Sequence, residues 1–149
     1  MSGVLFDTNV WLATVFQSHP NHAAAQNALG AATAAAPAVF CRSTQQSFLR
    51  LMSTPTVLRA YGAESLTNRD ALAALDALQS LRQVRVSDEP PGVFDRWRRL
   101  AVLDTASPKV WMDAYLAAFA VAGGLRFATF DSGFRSFVAR GLSLELMKS

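Results

Sequence analysis

Short apolar runs alternate with longer amphipathic stretches along the whole chain. Val4–Phe6 and Ala38–Phe40 are apolar runs of strand length, and polar residues that can begin a helix follow each of them. The runs at 84–86, 125–130 and 142–146 are interpreted as three further strands. Strands that alternate with helices are typical of βαβ units, so the pattern predicts an α/β fold with a mainly parallel sheet covered on both faces.

Helices are predicted between these strands from apolar residues at helical spacing. The clearest begins after Thr67, and Ser43 or Thr44 is the predicted cap of another. The helix after Thr67 carries one apolar stripe, formed by Ala71, Leu72, Leu75, Leu78 and Leu81. The first predicted helix begins near Val10. The others cover residues 19–32, 43–53, 68–81, 93–103, 113–124 and 132–141.

Composition indicates one compact domain over residues 1–149. Hydrophobic residues make up 51% of the chain and charged residues only 17%, which excludes a disordered or solvating segment. The formal net charge is +3, and its sign favours a partner that bears phosphates. Most of the positive charge is arginine, whose planar fork matches phosphate geometry.

Cysteine content and hydropathy indicate where the protein works. Cys41 is the single cysteine, so no internal disulfide can form, and its apolar neighbours predict a small core residue. Asp7 and Asn9 interrupt the apolar amino terminus, and the alanine-rich stretch 23–36 is too short to span a bilayer. We therefore expect a soluble, cytoplasmic protein with no membrane partner.

Three carboxylates lie where a parallel sheet gathers functional groups. Asp7 and Asp131 each follow an apolar run and precede a small polar residue, and Asp113 begins a predicted helix. Residues past the carboxyl ends of neighbouring strands meet in one crevice where the strand order reverses. Clustered carboxylates repel each other unless a cation lies between them, and Mg²⁺ is a hard cation that such oxygens bind. Because Asp is also a common helix N-cap, the spacing leaves a metal site and three structural caps both open.

Three segments resemble the signature motifs of PIN-domain proteins, most closely the VapC-type toxins of bacterial toxin–antitoxin pairs. They are "LFDTNVWL", "KVWMDAYLAAFA" and "LRFATFDSGF", and they occur in this order. The resemblance runs from Val4 to about Gly141 and implies a three-layer α/β/α sandwich. It also implies a metal-dependent endoribonuclease with Mg²⁺, or Mn²⁺, as cofactor, an antitoxin partner, an RNA substrate and a homodimer.

The same resemblance assigns roles to individual residues. Matched motif by motif, it implies that Asp7, Asp113 and Asp131 are the catalytic, metal-binding acids. Asn9 and Thr129 become supporting polar positions near the site.

One segment departs from the family pattern. Members commonly carry a Glu just before an "FLR"-like segment, and here Gln45, Gln46 and Ser47 occupy that stretch. Any of the three could take the place of the Glu; an amide or hydroxyl oxygen can hold a ligand or a water, but it brings no charge. We therefore expect weaker metal binding than in a four-acid site, and the missing Glu argues against a two-metal mechanism while leaving one ion and two both open.

Several other side chains are candidates for RNA binding. Trp97 and Trp111 could stack on bases, but their helical apolar patterns favour the core. His19 and His22 are three residues apart, without acidic or cysteine neighbours, and are expected at a helix start or on the surface rather than on a metal. The basic candidates are Arg96, Arg98, Arg99 and Arg135, with Arg42, Arg50 and Lys109 also near the acids in sequence.

Two rival functions remain open from the residues. A phosphatase of the haloacid-dehalogenase type would also have an aspartate such as Asp7 after its first strand, but its pattern requires a second Asp at the position of Asn9. A receiver domain would require an acidic pair near the first strand, and "MSGVLF" has none. The other rival is a catalytically weak PIN-like domain that binds RNA or antitoxin without efficient cleavage, a reading that the missing Glu supports.

Overall fold

A central sheet organises the chain in the computed structural model, which describes residues 2–148. Within that range the sheet has five strands in the order β3-β2-β1-β4-β5, and every neighbouring pair is parallel. The strands are β1 (Val4–Phe6), β2 (Ala38–Phe40), β3 (Val84–Val86), β4 (Arg126–Thr129) and β5 (Leu144–Leu146). The α/β prediction with a mainly parallel sheet is confirmed.

Strand order reverses beside β1, and this reversal positions the site. The chain runs outward from β1 through β2 to β3, then crosses to the other side of β1 to form β4 and β5. Leu5 pairs with Phe127, so the carboxyl ends of β1 and β4 lie side by side. Side chains that follow these two strands therefore share the crevice expected at a reversal of strand order.

Helices cover the sheet, and most begin close to where the sequence predicts them. Thr67 caps α5 as predicted, and its hydroxyl oxygen accepts a hydrogen bond from the Asp70 N–H at 3.1 Å. Cys41, rather than Ser43 or Thr44, is the N-cap of α3, while the Thr44 hydroxyl accepts a bond from the Cys41 N–H at 2.9 Å. The helices are α1 (Thr8–Val15), α2 (His22–Ala31), α3 (Arg42–Met52), α4 (Pro55–Ala60), α5 (Asn68–Gln79), α6 (Val93–Ala101), α7 (Val110–Ala122) and a 3₁₀ helix (Ser132–Arg140). The short helix α4 was not predicted.

Alternation along the strands divides the core between the two faces of the sheet. Phe6 packs on one face with Trp11 and Phe40, whose rings stack at a centroid distance of 3.8 Å. Leu5 and Phe127 belong to the cluster on the other face, under α6, α7 and the 3₁₀ helix. A strand side chain alternates between faces, so both layers of helices are held by one central sheet. Cys41 is buried in the second cluster, as predicted.

The stripe predicted for α5 is only partly buried. Ala71 and Leu75 enter the core, whereas Leu72 and Leu81 are exposed, which corrects the prediction for these two leucines. Leu72 lies on the side of α5 that faces solvent, since α5 contacts chiefly α3 and β3, and Leu81 lies beyond the end of α5 at Gln79. Among the helices of residues 2–148, none combines the length and the apolar character that crossing a membrane requires.

Candidate metal centre

Asp7 lies at the carboxyl end of β1 with both carboxylate oxygens hydrogen-bonded. It is the N-cap of α1, and its Oδ1 accepts the backbone N–H of Thr8 at 2.8 Å. Its Oδ2 accepts the hydroxyl of Thr129, at the end of β4, at 2.7 Å. The two bonds fix the carboxylate between the two central strands.

Thr129 connects the polar groups that follow both strands. Its side chain is fully buried, and besides donating to Asp7 its hydroxyl oxygen accepts the side-chain amide of Asn9 at 3.2 Å and the backbone N–H of Asp131 at 3.0 Å. Asn9 in turn accepts the backbone N–H of Phe130 at 3.4 Å through its Oδ1. We call Asp7, Asn9 and Thr129, with their bonds, the strand-end network.

Asp113 and Asp131 face each other across a single lysine. Asp131 caps the 3₁₀ helix, with Oδ1 accepting the Gly133 N–H at 2.8 Å. Its Oδ2 forms an ion pair with Nζ of Lys109, and the same Nζ lies 3.2 Å from Oδ2 of Asp113. Asp113 lies in the first turn of α7, which begins three residues earlier than the sequence indicated.

Ionisation of the three acids is coupled. Burial raises the pKa of Asp7, with smaller contributions from the negative charges of Asp113 and Asp131, against the bonds from Thr129 and Thr8. Burial likewise raises the pKa of Asp113, while Lys109 opposes the change. The Lys109 ammonium holds the pKa of Asp131 below its usual range. The negative charges of Asp113 and Asp131 thus raise the pKa of Asp7, and that of Asp131 raises the pKa of Asp113.

The donor set fits a hard divalent cation, although the acids do not enclose one as they stand. Across residues 2–148, no three His, Cys, Asp or Glu side chains are grouped closely enough to hold an ion. The cause is local: Lys109 draws Asp113 and Asp131 to its ammonium, and the strand-end network holds Asp7. Carboxylate oxygens are the ligands that Mg²⁺ and Mn²⁺ prefer, so Asp7, Asp113 and Asp131 have the chemistry that such an ion needs.

The segment that lacks the family's Glu makes other contacts. Gln45 is buried; its Oε1 accepts from Arg42 at 2.7 Å, and its Nε2 donates to Oε1 of Gln79 on α5 at 2.6 Å. Gln46 is exposed and Ser47 half-buried on α3. The hydrogen bonds of Gln45 thus lead to its own helix and to α5 rather than to the three acids.

The candidate RNA-binding arginines lie on two helices that cover the same face of the sheet as α7, the helix that carries Asp113. The α6 arginines (Arg96, Arg98 and Arg99) belong to the helix that packs against α7, and Arg98 lies over the Phe94 ring at 5.4 Å. Arg135 is exposed on the 3₁₀ helix that Asp131 begins.

The structure tests the predictions made for the two tryptophans and the two histidines. Trp97 is half-buried against the core, so the core interpretation holds for it in part, and its indole N–H donates to the Trp111 carbonyl at 2.7 Å. Trp111 is 56% exposed, so the core interpretation is wrong for that residue, because its side of α7 turns away from the sheet.

His22 is the first residue of α2, and its Nδ1 lies 2.8 Å from the Ala13 carbonyl oxygen. The His19 ring packs on the Tyr61 ring. Both histidines have the helix-start and surface roles that the sequence indicated.

The ion pairs of Lys109 are the part of the site that sequence analysis missed. Lys109 was a candidate only for RNA binding. Its spacing of four residues from Asp113 was the available signal, because such pairs meet on one side of a helix. Its second partner, Asp131, is 22 residues away and could be found only from the fold.

The fold and the strand-end network together indicate the class of protein to which this chain belongs. The PIN-domain family model matches residues 4–139, and the chain belongs to the PIN-domain family. Within it, two relatives named Ribonuclease VapC41, from Mycobacterium tuberculosis strains CDC 1551 / Oshkosh and ATCC 25618 / H37Rv, are each 46% identical over 145 residues. The match covers 97% of this chain and 98% of each relative, so this protein is a homologue of VapC ribonucleases.

Solved structures share the fold at low sequence identity. VapBC2 from Rickettsia felis, crystallised with a DNA fragment from its promoter, includes a chain that aligns with a TM-score of 0.67 and 15% identity over 99% of this chain and 100% of that one. VapC20 of Mycobacterium tuberculosis, a sarcin–ricin-loop-cleaving toxin, aligns with a TM-score of 0.62 and 20% identity over 94% of this chain and 96% of its own. These similarities support the three-layer α/β/α architecture.

Proposed function

We propose that this protein is the ribonuclease toxin of a toxin–antitoxin pair and that it hydrolyses RNA phosphodiester bonds with Mg²⁺, or Mn²⁺, as cofactor. The observation that carries the proposal is the position of the acids: Asp7 is hydrogen-bonded to Thr129 where β1 and β4 end, and Asp131, two residues after Thr129, shares the Lys109 ammonium with Asp113. A VapC relative at 46% identity over nearly the whole chain supports the same activity. The three acids are the proposed metal ligands and catalytic residues.

The strand-end network orients one proposed ligand, Asp7, before a metal ion binds. Thr129 and the Thr8 N–H hold the Asp7 carboxylate in a fixed orientation, so binding costs less side-chain entropy. Asn9 and the backbone of Asp131 hold the Thr129 hydroxyl in turn. When bound, the metal would supply Lewis-acid polarisation of the phosphodiester and a water of lowered pKa. The α6 arginines and Arg135 are proposed to hold the RNA backbone beside the acids.

The segment at Gln45, Gln46 and Ser47 limits the charge available to the metal. Three carboxylates without the usual Glu support one metal ion and weaker binding than a four-acid site would give. The buried bonds of Gln45 to Arg42 and Gln79 support a structural role for that residue in joining α3 and α5.

Partners follow from the same proposal. The VapBC complex with a similar fold and the VapC relatives support an antitoxin protein as the partner of this chain, and RNA as its substrate. We propose a homodimer that acts in the cytoplasm, where RNA and antitoxin are present.

A cleavage assay with variants of the acids tests the function. Purified protein is incubated with structured RNAs in Mg²⁺, in Mn²⁺ and in EDTA, alongside Asp113→Asn and Asp7→Ala. Cleavage in metal should fall by roughly a hundredfold or more in each variant and vanish in EDTA. Arg82→Gln, a charge loss at the opposite edge of the sheet, is the control and should cleave normally.

One alternative has its own support. Lys109 neutralises two of the acids and the segment at 45–47 lacks a fourth, which favours a domain that binds RNA or antitoxin without cutting. Retention of RNA without cleavage in either metal would select this alternative and reject the nuclease.

A further inference from the structure

The ammonium of Lys109 lies in the gap between Asp113 and Asp131. Both carboxylates reach it through Oδ2, and Nζ lies 3.2 Å from the Asp113 oxygen. Oδ1 of Asp131 accepts the Gly133 N–H, whereas Oδ2 contacts Lys109. Lys109 therefore covers the Asp131 oxygen that has no backbone hydrogen bond.

A metal ion and this ammonium cannot occupy the gap together. Mg²⁺ binds oxygen at 2.0–2.1 Å and repels a second positive charge held a few ångströms away. The Lys109 side chain is 67% exposed, while the carboxylates it contacts are 17% (Asp113) and 31% (Asp131) exposed. The lysine thus reaches inward from solvent to acids that are more buried than itself, and its flexible stem allows it to leave.

We propose that Lys109 is an internal counter-ion that the catalytic metal displaces, so that metal binding turns its side chain out into solvent. This inference rests on the proposed metal-dependent function. Before metal binds, the lysine neutralises Asp113 and Asp131 and holds both carboxylates on its ammonium. The strand-end network is independent of Lys109, so Asp7 is ready in both states.

Removing the lysine should make metal binding tighter. Exposed ion pairs are weak, so displacing the two contacts should weaken metal binding only modestly, by roughly three- to tenfold. We therefore expect Lys109→Gln to lower the dissociation constant for Mn²⁺ by that factor. Lys109→Arg keeps the charge and should bind Mn²⁺ much as the native protein does.

Calorimetric titration of the full chain with Mn²⁺ measures this directly, without RNA and without catalysis. The control is Arg82→Gln, which removes the same charge just before β3, at the edge of the sheet opposite the acids. Its affinity should match that of the native protein, which separates displacement of Lys109 from a general change in net charge. Thermal unfolding of each variant checks that the fold is retained.

A second measurement follows the lysine itself. In ¹H–¹³C spectra, the methylene next to the Lys109 ammonium should shift as Mg²⁺ is added and reach its end point at the saturation seen by calorimetry. Lys148, which lies beyond β5, is the reference lysine in the same spectra.

The outcomes separate the two proposals. Tighter Mn²⁺ binding by Lys109→Gln together with a shifting Lys109 signal supports the counter-ion. Equal or weaker binding by Lys109→Gln, or a Lys109 signal that stays unchanged at saturation, overturns it and leaves the metal-dependent nuclease standing. Failure of every protein, the native one included, to bind Mn²⁺ or Mg²⁺ overturns the metal site of the proposed function and the counter-ion with it.

Discussion

Replacing Thr129 with valine removes one hydroxyl from the centre of the site and leaves the shape of the side chain almost unchanged. The residue is 0% exposed, so water cannot take the place of the lost oxygen. Asp7 loses the donor at 2.7 Å, and the N–H groups of Asn9 and Asp131 lose their acceptor at 3.2 and 3.0 Å. Three groups are left short of a partner by a change of a single atom.

The magnitude follows from these bonds. A hydrogen bond to a charged group contributes about 1.5–3 kcal/mol, and each buried donor left without an acceptor costs about 1–3 kcal/mol. The added methyl group recovers about 1 kcal/mol by burial, and partial relaxation recovers more. We expect Thr129→Val to lower the free energy of unfolding by about 3 kcal/mol, which corresponds to a fall in Tm of roughly 6–12 °C for a domain of this size.

Urea denaturation at pH 7 measures the change, with Thr129→Ser as the matched control. Serine keeps the hydroxyl and loses one methyl group, so it should cost about 1 kcal/mol. Because Thr129 orients Asp7, valine should also weaken Mn²⁺ binding by roughly 10–100-fold, and serine should not. Valine destabilising by less than serine would refute the role given to the hydroxyl.

Two further predictions concern charge. Asp7→Asn should abolish metal-dependent cleavage yet raise the free energy of unfolding at pH 7, because asparagine keeps the helix cap and removes a buried charge. Since the pKa of Asp7 is raised in the folded state, its contribution to stability is present below the ordinary carboxylate pKa and lost as pH rises through the raised value. The difference in free energy of unfolding between native protein and Asp7→Asn, measured in urea at several pH values, should show that loss. A difference independent of pH would contradict it. Changing all three α6 arginines to glutamine in an Asp113→Asn background should weaken RNA binding and lower the slope of log affinity against log salt by about 2, and an unchanged slope would exclude them from the RNA contact.

Much of the architecture was accessible from the sequence because it depends on local pattern. The three-residue runs at Val4–Phe6 and Ala38–Phe40 became strands with the bounds that their apolar character indicated. Thr67 and Asp70 cap α5 within four residues of chain, so no distant contact was needed to predict its start. Helix α4 escaped prediction because six residues give too little periodicity to detect.

Burial and partner choice depended on distant elements. Leu72 and Leu81 fit the apolar stripe predicted after Thr67, yet both are exposed. Leu72 lies on the side of α5 away from α3 and β3, and Leu81 follows the end of the helix at Gln79. Gln45 is one of three residues that could take the place of the family's Glu, but its amide donates to Gln79, 34 residues away.

The sequence by itself determined that acids follow apolar strands at Asp7 and Asp131, because alternating strand and helix patterns need only nearby residues. Only the tertiary structure decided that β4 lies beside β1, which brings Thr129 to Asp7 across 122 positions of the chain. It also decided that Lys109 lies between Asp113 and Asp131. Electrostatic energy depends on distances between charges in space, and strand pairing sets those distances, which spacing along the chain does not.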